Sequence, residues 1–346
     1  VREETESVSN DNRAQPEGGE VARVKFAIPK GSLEKATFDL LERAWYKIYG
    51  RERTYRPKIS DPQIELKILR PQEIPIFVAE GLHDVGITGM DWIREGRAEV
   101  ETLLDLEYGR VKLVVAVPKD LEVASLTDLF RQFWSRGRKV RISAEYLNIT
   151  AEYVKANPLY RKRFGRKEPL VITPWWRRGT NDRVSIYLSF GATEAKPPED
   201  TDVIIDVIET GTTLERNNLK PIETILESTA VLIANRQALR DRQKREKIYD
   251  IMTLLKGVID SEKKLHIFVN VRQENLEKLL RALPALKRPT ISPLSAPGWY
   301  SVNTIVEKQH FLTLLPALRR LAQGLVVHEP QQILPLEEIA RNEAYE

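Results

Sequence analysis

The chain has 346 residues, with 54 Lys and Arg against 50 Asp and Glu, and a net charge of +4. A hydrophobic fraction of 42% supports real cores and excludes a mostly unstructured chain. Cysteine is absent, which excludes disulfides, thiolate nucleophiles and Cys-based metal sites and fits a cytosolic protein. No apolar run approaches the ~18–20 residues of a membrane-spanning helix. His83, His266, His310 and His328 are scattered without metal-ligand spacing.

Residues 1–20 are polar and hold six acids against two bases, which reads as a disordered tail. Beyond it, short apolar strands alternate with amphipathic helices. Strands are expected at Val24–Ile28, Ile64–Leu69, Val85–Ile87 and Val111–Val117. Further strands follow at Arg141–Ser143, Leu170–Ile172, Val184–Leu188, Val203–Ile208 and Ala230–Ala234. Helices are expected at Leu33–Ile48, near Gln72–Glu80 and over Gln237–Ile259, and Leu103–Gly109 reads as a loop. The alternation predicts α/β architecture with mainly parallel sheets. From Lys264 the rhythm changes. Leu265–Val271, Glu274–Leu283, Thr290–Leu294, Trp299–Val306, Phe311–Ala322 and Leu325–His328 spell strand, helix, strand, strand, helix, strand. That order is a ferredoxin-like βαββαβ unit.

The segment Asp202–Leu214 carries the most chemistry. An apolar strand ends in Asp206 and Glu209, then in Thr210-Gly211-Thr212-Thr213, then in a helix. Backbone N–H groups and hydroxyls at such a turn suit a phosphate monoester. Carboxylates just before it would repel a bare dianion, so a phosphorylated sugar, with hydroxyls to meet the acids, suits better. An ordinary strand end with a threonine N-cap is the competing reading. Lys30 sits at a strand's C-terminal end, where open α/β sheets bind ligands, though a solvated turn lysine would look the same. Arg70 stands beside Pro71 and Pro75, which fix a turn and a helix start.

In order along the chain, FAIPKGSL (26–33), ILRPQEIP (68–75), GLHDVGITGMDW (81–92), LEYGRVKLVVAVP (106–118), RISAEYLNIT (141–150), GATEA (191–195) and DVIIDVIETGTTLERNNL (202–219) resemble the ATP phosphoribosyltransferase family of histidine biosynthesis, in its long form. LPALKRPTISPL (283–294) and GWYSVNTIVE (298–307) resemble that family's regulatory domain. The resemblance implies a two-lobed catalytic body like the periplasmic binding proteins plus an ACT-like C-terminal domain. The lobes are expected at 21–115 with 222–260 and at 116–221, and the regulatory domain at 261–346.

The resemblance further implies transfer of phosphoribosyl from 5-phosphoribosyl pyrophosphate to N1 of ATP, with pyrophosphate released. Magnesium is held mainly through substrate, with no protein ligand assigned. It assigns Thr210, Gly211, Thr212, Thr213 and Leu214 to the 5-phosphate turn and Asp206 with Glu209 to the ribose side. Lys30, Gly31, Arg70, Gly89, Asp91, Asp105 and Glu194 become phosphate or ATP contacts. For Asp91, Asp105 and Glu194 a strand-end or cap role stays open. Leu286 and Thr290 fall in a segment resembling a pocket for histidine as feedback inhibitor. The expected assembly is a homo-hexamer or dimer in the cytoplasm, without membrane or nucleic-acid partners.

One departure concerns Pro158–Arg183, which is longer and more basic than the family pattern. From Arg161 to Arg183 it holds eight bases against Glu168 and Asp182, with Trp175 and Trp176 among them. Aromatics among bases can bind single-stranded nucleic acid; a solvated loop or an oligomer contact is the preferred reading. Another departure is PPEDTD (197–202), which leaves the entry to the phosphate strand undefined.

Overall fold

The computed structural model describes residues 23–52, 54–283, 289–334 and 336. The chain begins with β1 (Val24–Pro29), α1 (Glu34–Arg43), a short ladder of β2 (Ile48–Tyr49) and β3 (Lys58–Ile59), and β4 (Ile64–Leu69). It continues through α2 (Ile74–Ala79), β5 (Val85–Gly89), α3 (Met90–Gly96) and β6 (Glu101–Asp105). It then crosses into a second unit. That unit holds β7 (Val111–Pro118), α4 (Leu126–Ser135), β8 (Val140–Ala144), α5 (Leu147–Ala156), α6 (Pro158–Phe164), β9 (Pro169–Ile172) and β10 (Arg177–Arg178). β11 (Asn181–Leu188), a 3-10 turn at Thr193–Ala195, β12 (Val203–Ile208), α7 (Thr212–Arg216) and β13 (Leu219–Ser228) complete it. The chain returns to the first unit as β14 (Ala230–Ala234) and α8 (Arg242–Glu262). The C-terminal domain is β15 (Lys264–Arg272), α9 (Gln273–Ala282), β16 (Thr290–Pro293), β17 (Trp299–Glu307), α10 (Lys308–Leu321) and β18 (Ala322–His328), the expected βαββαβ order.

Each unit has its own sheet: β4-β1-β5-β14-β6, then β10-β9-β11-β8-β12-β7-β13, then β16-β17-β15-β18. The body is therefore two-lobed, and the chain passes twice between its sheets, over residues 106–110 and at Thr229. The boundaries expected at 115/116 and 221/222 fall inside β7 and β13, which pair with each other in the second sheet. Continuous burial along β5, β14 and the middle of β7 is the mark of strands covered on both faces.

Local departures from the sequence reading have physical causes. α1 stops at Arg43, five residues early, because Trp45 adopts a left-handed φ of 68° and turns the chain into β2. α8 starts at Arg242 because Asn235 accepts the N–H groups of Gln237 and Ala238 in a turn, and Asp241 caps the helix through the Lys244 N–H. Residues 103–105 of the expected Leu103–Gly109 loop belong to the edge strand β6, while 106–109 are a loop, and β13 is a second edge strand with register shifts at Pro221/Glu223 and Thr224/Leu226. Edge strands carry charges on their open side, so their apolar runs are broken.

The basic segment is folded rather than looped. α6 is capped by Asn157, whose side chain accepts the N–H groups of Leu159 and Tyr160, and β9 with β10 forms a hairpin. The PPEDTD entry is pinned by Asp202. Its carboxylate is 4% exposed and accepts hydrogen bonds from the Arg141 backbone N–H, the Arg141 guanidinium and Arg138, at 2.9–3.2 Å.

Candidate active site between the lobes

In the second lobe β8, β12, β11 and β9 run parallel, while β7 is antiparallel to β12. The register pairs Ile205 with Ala144 and Ala144 with Leu188. The residues that follow, Asp206, Glu145 and Ser189, therefore stand abreast at the C-terminal edge, where open α/β sheets bind ligands. Beyond β12 the chain bends through Glu209 and Thr210 to Gly211, whose φ of +82° makes a turn that strains other residues, and α7 begins at Thr212. Thr210 Oγ1 and Thr212 Oγ1 lie 3.0 Å apart across the mouth of the turn. Leu214 is buried among Val114, Ala116, Ile204 and Leu219, so it anchors the turn from below. Glu209, Thr210, Thr212 and Thr213 are exposed.

Burial pushes the Asp206 carboxyl above the ordinary aspartate range, and nearby Glu194 adds to this. The Val207 N–H, the Thr193 hydroxyl and Lys196 pull the other way. Glu145 is also raised, first by burial, and further by the charges of Asp206 and Asp91. Two half-buried carboxylates thus share one edge, with Glu194 beside them.

The first lobe presents the same kind of edge. β1 pairs in parallel with β4, Pro29 opposite Leu69, so Lys30 and Arg70 emerge side by side. Gly31 has a φ of +92°, and a Cβ there would face Arg70 Nη1 at 3.9 Å. Lys30 Nζ hydrogen-bonds the Tyr55 hydroxyl at 2.9 Å and lies 4.5 Å from its ring centroid. The bond and the charge of Lys30 lower the Tyr55 phenol below its usual range. Lys30, Glu34, Arg51, Thr54, Tyr55 and Ile68 are among the residues lining a cavity of ≈ 200 Å³. Asp105 reaches this sheet edge too, since Val231 pairs with both Thr88 and Asp105. Its carboxylate accepts the Glu107 N–H at 2.8 Å in a local turn.

Asp91 joins the halves. It is 4% exposed at the start of α3, and its carboxylate accepts the Tyr146 hydroxyl at 2.6 Å and the Ser228 hydroxyl at 2.8 Å. Gly89 makes room for it, because a Cβ there would stand 2.1 Å from Asp91 Oδ1. Trp92 stacks on the Tyr146 ring at 4.3 Å, and Gln72 donates to Glu145 at 3.2 Å from the opposite lobe. Glu95 accepts the Asn148 and Ile149 N–H groups at the start of α5. Glu145, Tyr146, Gln72, Tyr55 and Thr193 escaped the sequence reading as site residues. Glu145 and Tyr146 follow an apolar strand just as Asp206 does, and only the adjacency of β8 and β12 reveals them.

Thr290 opens β16, exposed at the edge of the C-terminal sheet, and Leu286 lies outside the described residues. Among the described residues, no group of three His, Asp or Glu side chains is placed to hold a metal ion. Among them, too, no helix is long and apolar enough to cross a membrane.

Residues 70–257 match the family model described as ATP phosphoribosyltransferase, and residues 261–330 match that of its C-terminal domain. The enzyme named ATP phosphoribosyltransferase from Solibacter usitatus is 38% identical over 89% of this chain and 97% of its own length. Those of Pelotomaculum thermopropionicum and Thermodesulfovibrio yellowstonii are each 36% identical, over 89% and 90% of this chain and 98% of their own lengths. Among solved structures, the ATP phosphoribosyl transferase (HisG:HisZ) complex from Thermotoga maritima is similar in fold, with a TM-score of 0.51 and 24% identity over 67% of this chain and 96% of that one. With both of its parts matched, the chain belongs to the ATP phosphoribosyltransferase family of histidine biosynthesis and carries that family's C-terminal domain.

Proposed function

We propose that the protein transfers the phosphoribosyl group of 5-phosphoribosyl pyrophosphate to N1 of ATP and releases pyrophosphate. The observation that supports this best is the pairing of two unlike half-sites. A phosphate turn with carboxylates beside it meets a Lys30–Arg70 pair across an interface bridged by Asp91–Tyr146 and Gln72–Glu145. The Gly211 turn takes the 5-phosphate through backbone N–H groups and the threonine hydroxyls. Asp206 takes the ribose hydroxyls, with Glu209 at the rim.

As the bond from ribose C1′ to pyrophosphate breaks, positive charge grows on the sugar. The carboxylates of Asp206 and Glu145 stabilise it in a half-buried setting. Lys30 and Arg70 take up the negative charge on the departing pyrophosphate, each contact of opposite charges at ~4 Å being a lever of ~4 kcal/mol before desolvation. Adenine N1 attacks with a lone pair and carries no hydrogen, so the new bond needs no base at the attacking atom. The rest of the catalysis is positioning.

Magnesium, when bound, neutralises charge on the pyrophosphate. Most of its oxygens would come from substrate and water, and the half-buried carboxylates of Asp206 and Glu145 could hold that water shell. We further propose that the C-terminal domain binds histidine near Leu286 and Thr290 and lowers turnover. The working form would be a hexamer or dimer in the cytoplasm. The test is direct: mix protein, 5-phosphoribosyl pyrophosphate, ATP and magnesium with pyrophosphatase, and follow product by ultraviolet absorbance. Folded protein that binds both substrates and makes no product would end this reading.

A further inference from the structure

The hairpin of β9 and β10 ends in a feature that the phosphate turn and the Lys30–Arg70 pair do not use. Trp175 is 72% exposed and Phe190 71% exposed, and their rings meet edge to face at 5.7 Å. Both sit on pinned backbone. At the hairpin tip the Thr173 side-chain oxygen accepts the Trp175 and Trp176 N–H groups, and the Thr173 N–H donates to the Trp176 carbonyl at 3.0 Å. Next to Phe190, the Ser189 hydroxyl bonds the Gly191 carbonyl, the Thr193 hydroxyl and Lys196. Two large apolar rings held rigidly in water cost hydration free energy, and such groups mark binding surfaces.

Their place in the sheet says what they face. β9 is parallel to β11, with Ile172 opposite Tyr187, so the hairpin tip and Phe190 leave the sheet on the edge that carries Glu145 and Asp206. β11 and β9 are the second and third strands from β12, ~10–14 Å across the sheet from it at ~4.8 Å per strand. The rings also adjoin the ribose side: Phe190 follows Ser189, Ser189 accepts from the Thr193 hydroxyl, and Thr193 lies close enough to Asp206 to lower its carboxyl. Arg177, exposed, opens β10 just after the hairpin tip, whereas Arg178 lines a cavity on the α5 side with Trp176 and Leu147. A ligand that is aromatic at one end and anionic at the other fits this pairing of rings and a guanidinium group.

We propose that Trp175 and Phe190 form the stacking platform for the adenine ring of the acceptor ATP, and that Arg177 meets its phosphates. This rests on the transferase reading and assigns the acceptor side of the same site. It also gives the basic segment a task, which is to position the nucleotide.

The test uses the full chain and the variants Trp175→Ala, Phe190→Ala and Phe190→Trp, with steady-state kinetics and calorimetric titration of ATP and of inorganic tripolyphosphate. Loss of one ring should raise KM for ATP about 5- to 100-fold, the range of a lost base stack. KM for 5-phosphoribosyl pyrophosphate should stay within twofold, Phe190→Trp should restore the ATP value, and tripolyphosphate, which has no base, should bind all variants alike. Unchanged KM for ATP in active variants overturns the platform. So does an equal loss of tripolyphosphate affinity. A change in light-scattering mass with unchanged KM for ATP overturns it as well, and marks the rings as a contact between copies. Wild-type protein that binds ATP but does not turn over defeats the transferase reading alone; the ring variants must then still lose ATP affinity. Wild-type protein that turns over with ring-independent ATP binding defeats the platform alone.

Discussion

A single methyl group at Gly89 should uncouple the two lobes. Gly89 has a φ of −80° and a ψ of 144°, which any residue adopts, so Gly89→Ala brings no backbone strain. Its cost is steric, because the new Cβ would stand 2.1 Å from Asp91 Oδ1 and the carboxylate must swing away. Asp91 then gives up the hydroxyls of Tyr146 and Ser228. Hydrogen bonds to a charged group are worth ~1.5–3 kcal/mol each, for a loss of ~3–6 kcal/mol. Alanine returns ~0.4–1 kcal/mol by restricting the unfolded chain. The net destabilisation is therefore about 2–5 kcal/mol, read by urea denaturation.

Asp91→Ala supplies the control. Without the carboxylate the next neighbour of that Cβ is Trp92 Cδ1 at 3.5 Å, an ordinary contact. Gly89→Ala in the Asp91→Ala background should then be neutral or slightly stabilising. A Gly89→Ala cost below ~0.5 kcal/mol in the native background, or an equal cost in both backgrounds, would refute the reasoning.

Four further perturbations have definite outcomes. Asp206→Asn should cut turnover more than it weakens ribose 5-phosphate binding; equal losses would reduce the carboxylate to a positioning group. Because burial raises the folded carboxyl above its unfolded value, the native state binds the proton more tightly. The native carboxylate therefore costs stability progressively as pH rises past the usual aspartate range, and at neutral pH Asp206→Asn should melt no lower, and preferably higher, than the parent. Lys30→Ala should raise the Tyr55 phenol toward its ordinary value, read by absorbance titration against Tyr55→Phe; an unmoved titration would detach Lys30 from Tyr55 in solution. Asp202→Ala removes a buried carboxylate from two arginines that are 51% and 35% exposed and can rehydrate, so the loss should be about 2–3 kcal/mol, below the ~3–5 kcal/mol of a fully buried pair. Histidine should slow the full chain and not a chain lacking residues 262–346; an intact response in the shortened chain would move the effector site elsewhere.

The central strands were legible because burial on both faces writes a continuous apolar run, as in β14 and the first half of β12. The C-terminal domain was legible because its strands alternate inward and outward residues, as β17 does. β6 and β13 were not, since they lie at sheet edges and mix charges into the run. Asp206, Gly211 and the threonines could be read because strand, turn and helix N-terminus are contiguous. Glu145 and Tyr146 lie some sixty residues away, and they reach the site through the β8–β12 pairing, a non-local fact. Within the basic segment β9 was legible as the apolar run Leu170–Ile172, but the charges around it hid the Asn157 cap and the return strand β10.

The central claim is that the two half-sites serve one transfer reaction. Its most direct measurement is pyrophosphate release from 5-phosphoribosyl pyrophosphate, with and without ATP, alongside NMR assignment of the product's glycosidic bond. Release should require ATP and be matched one for one by a bond between ribose C1′ and adenine N1. Release of pyrophosphate without ATP, or a product joined at another atom, would contradict it.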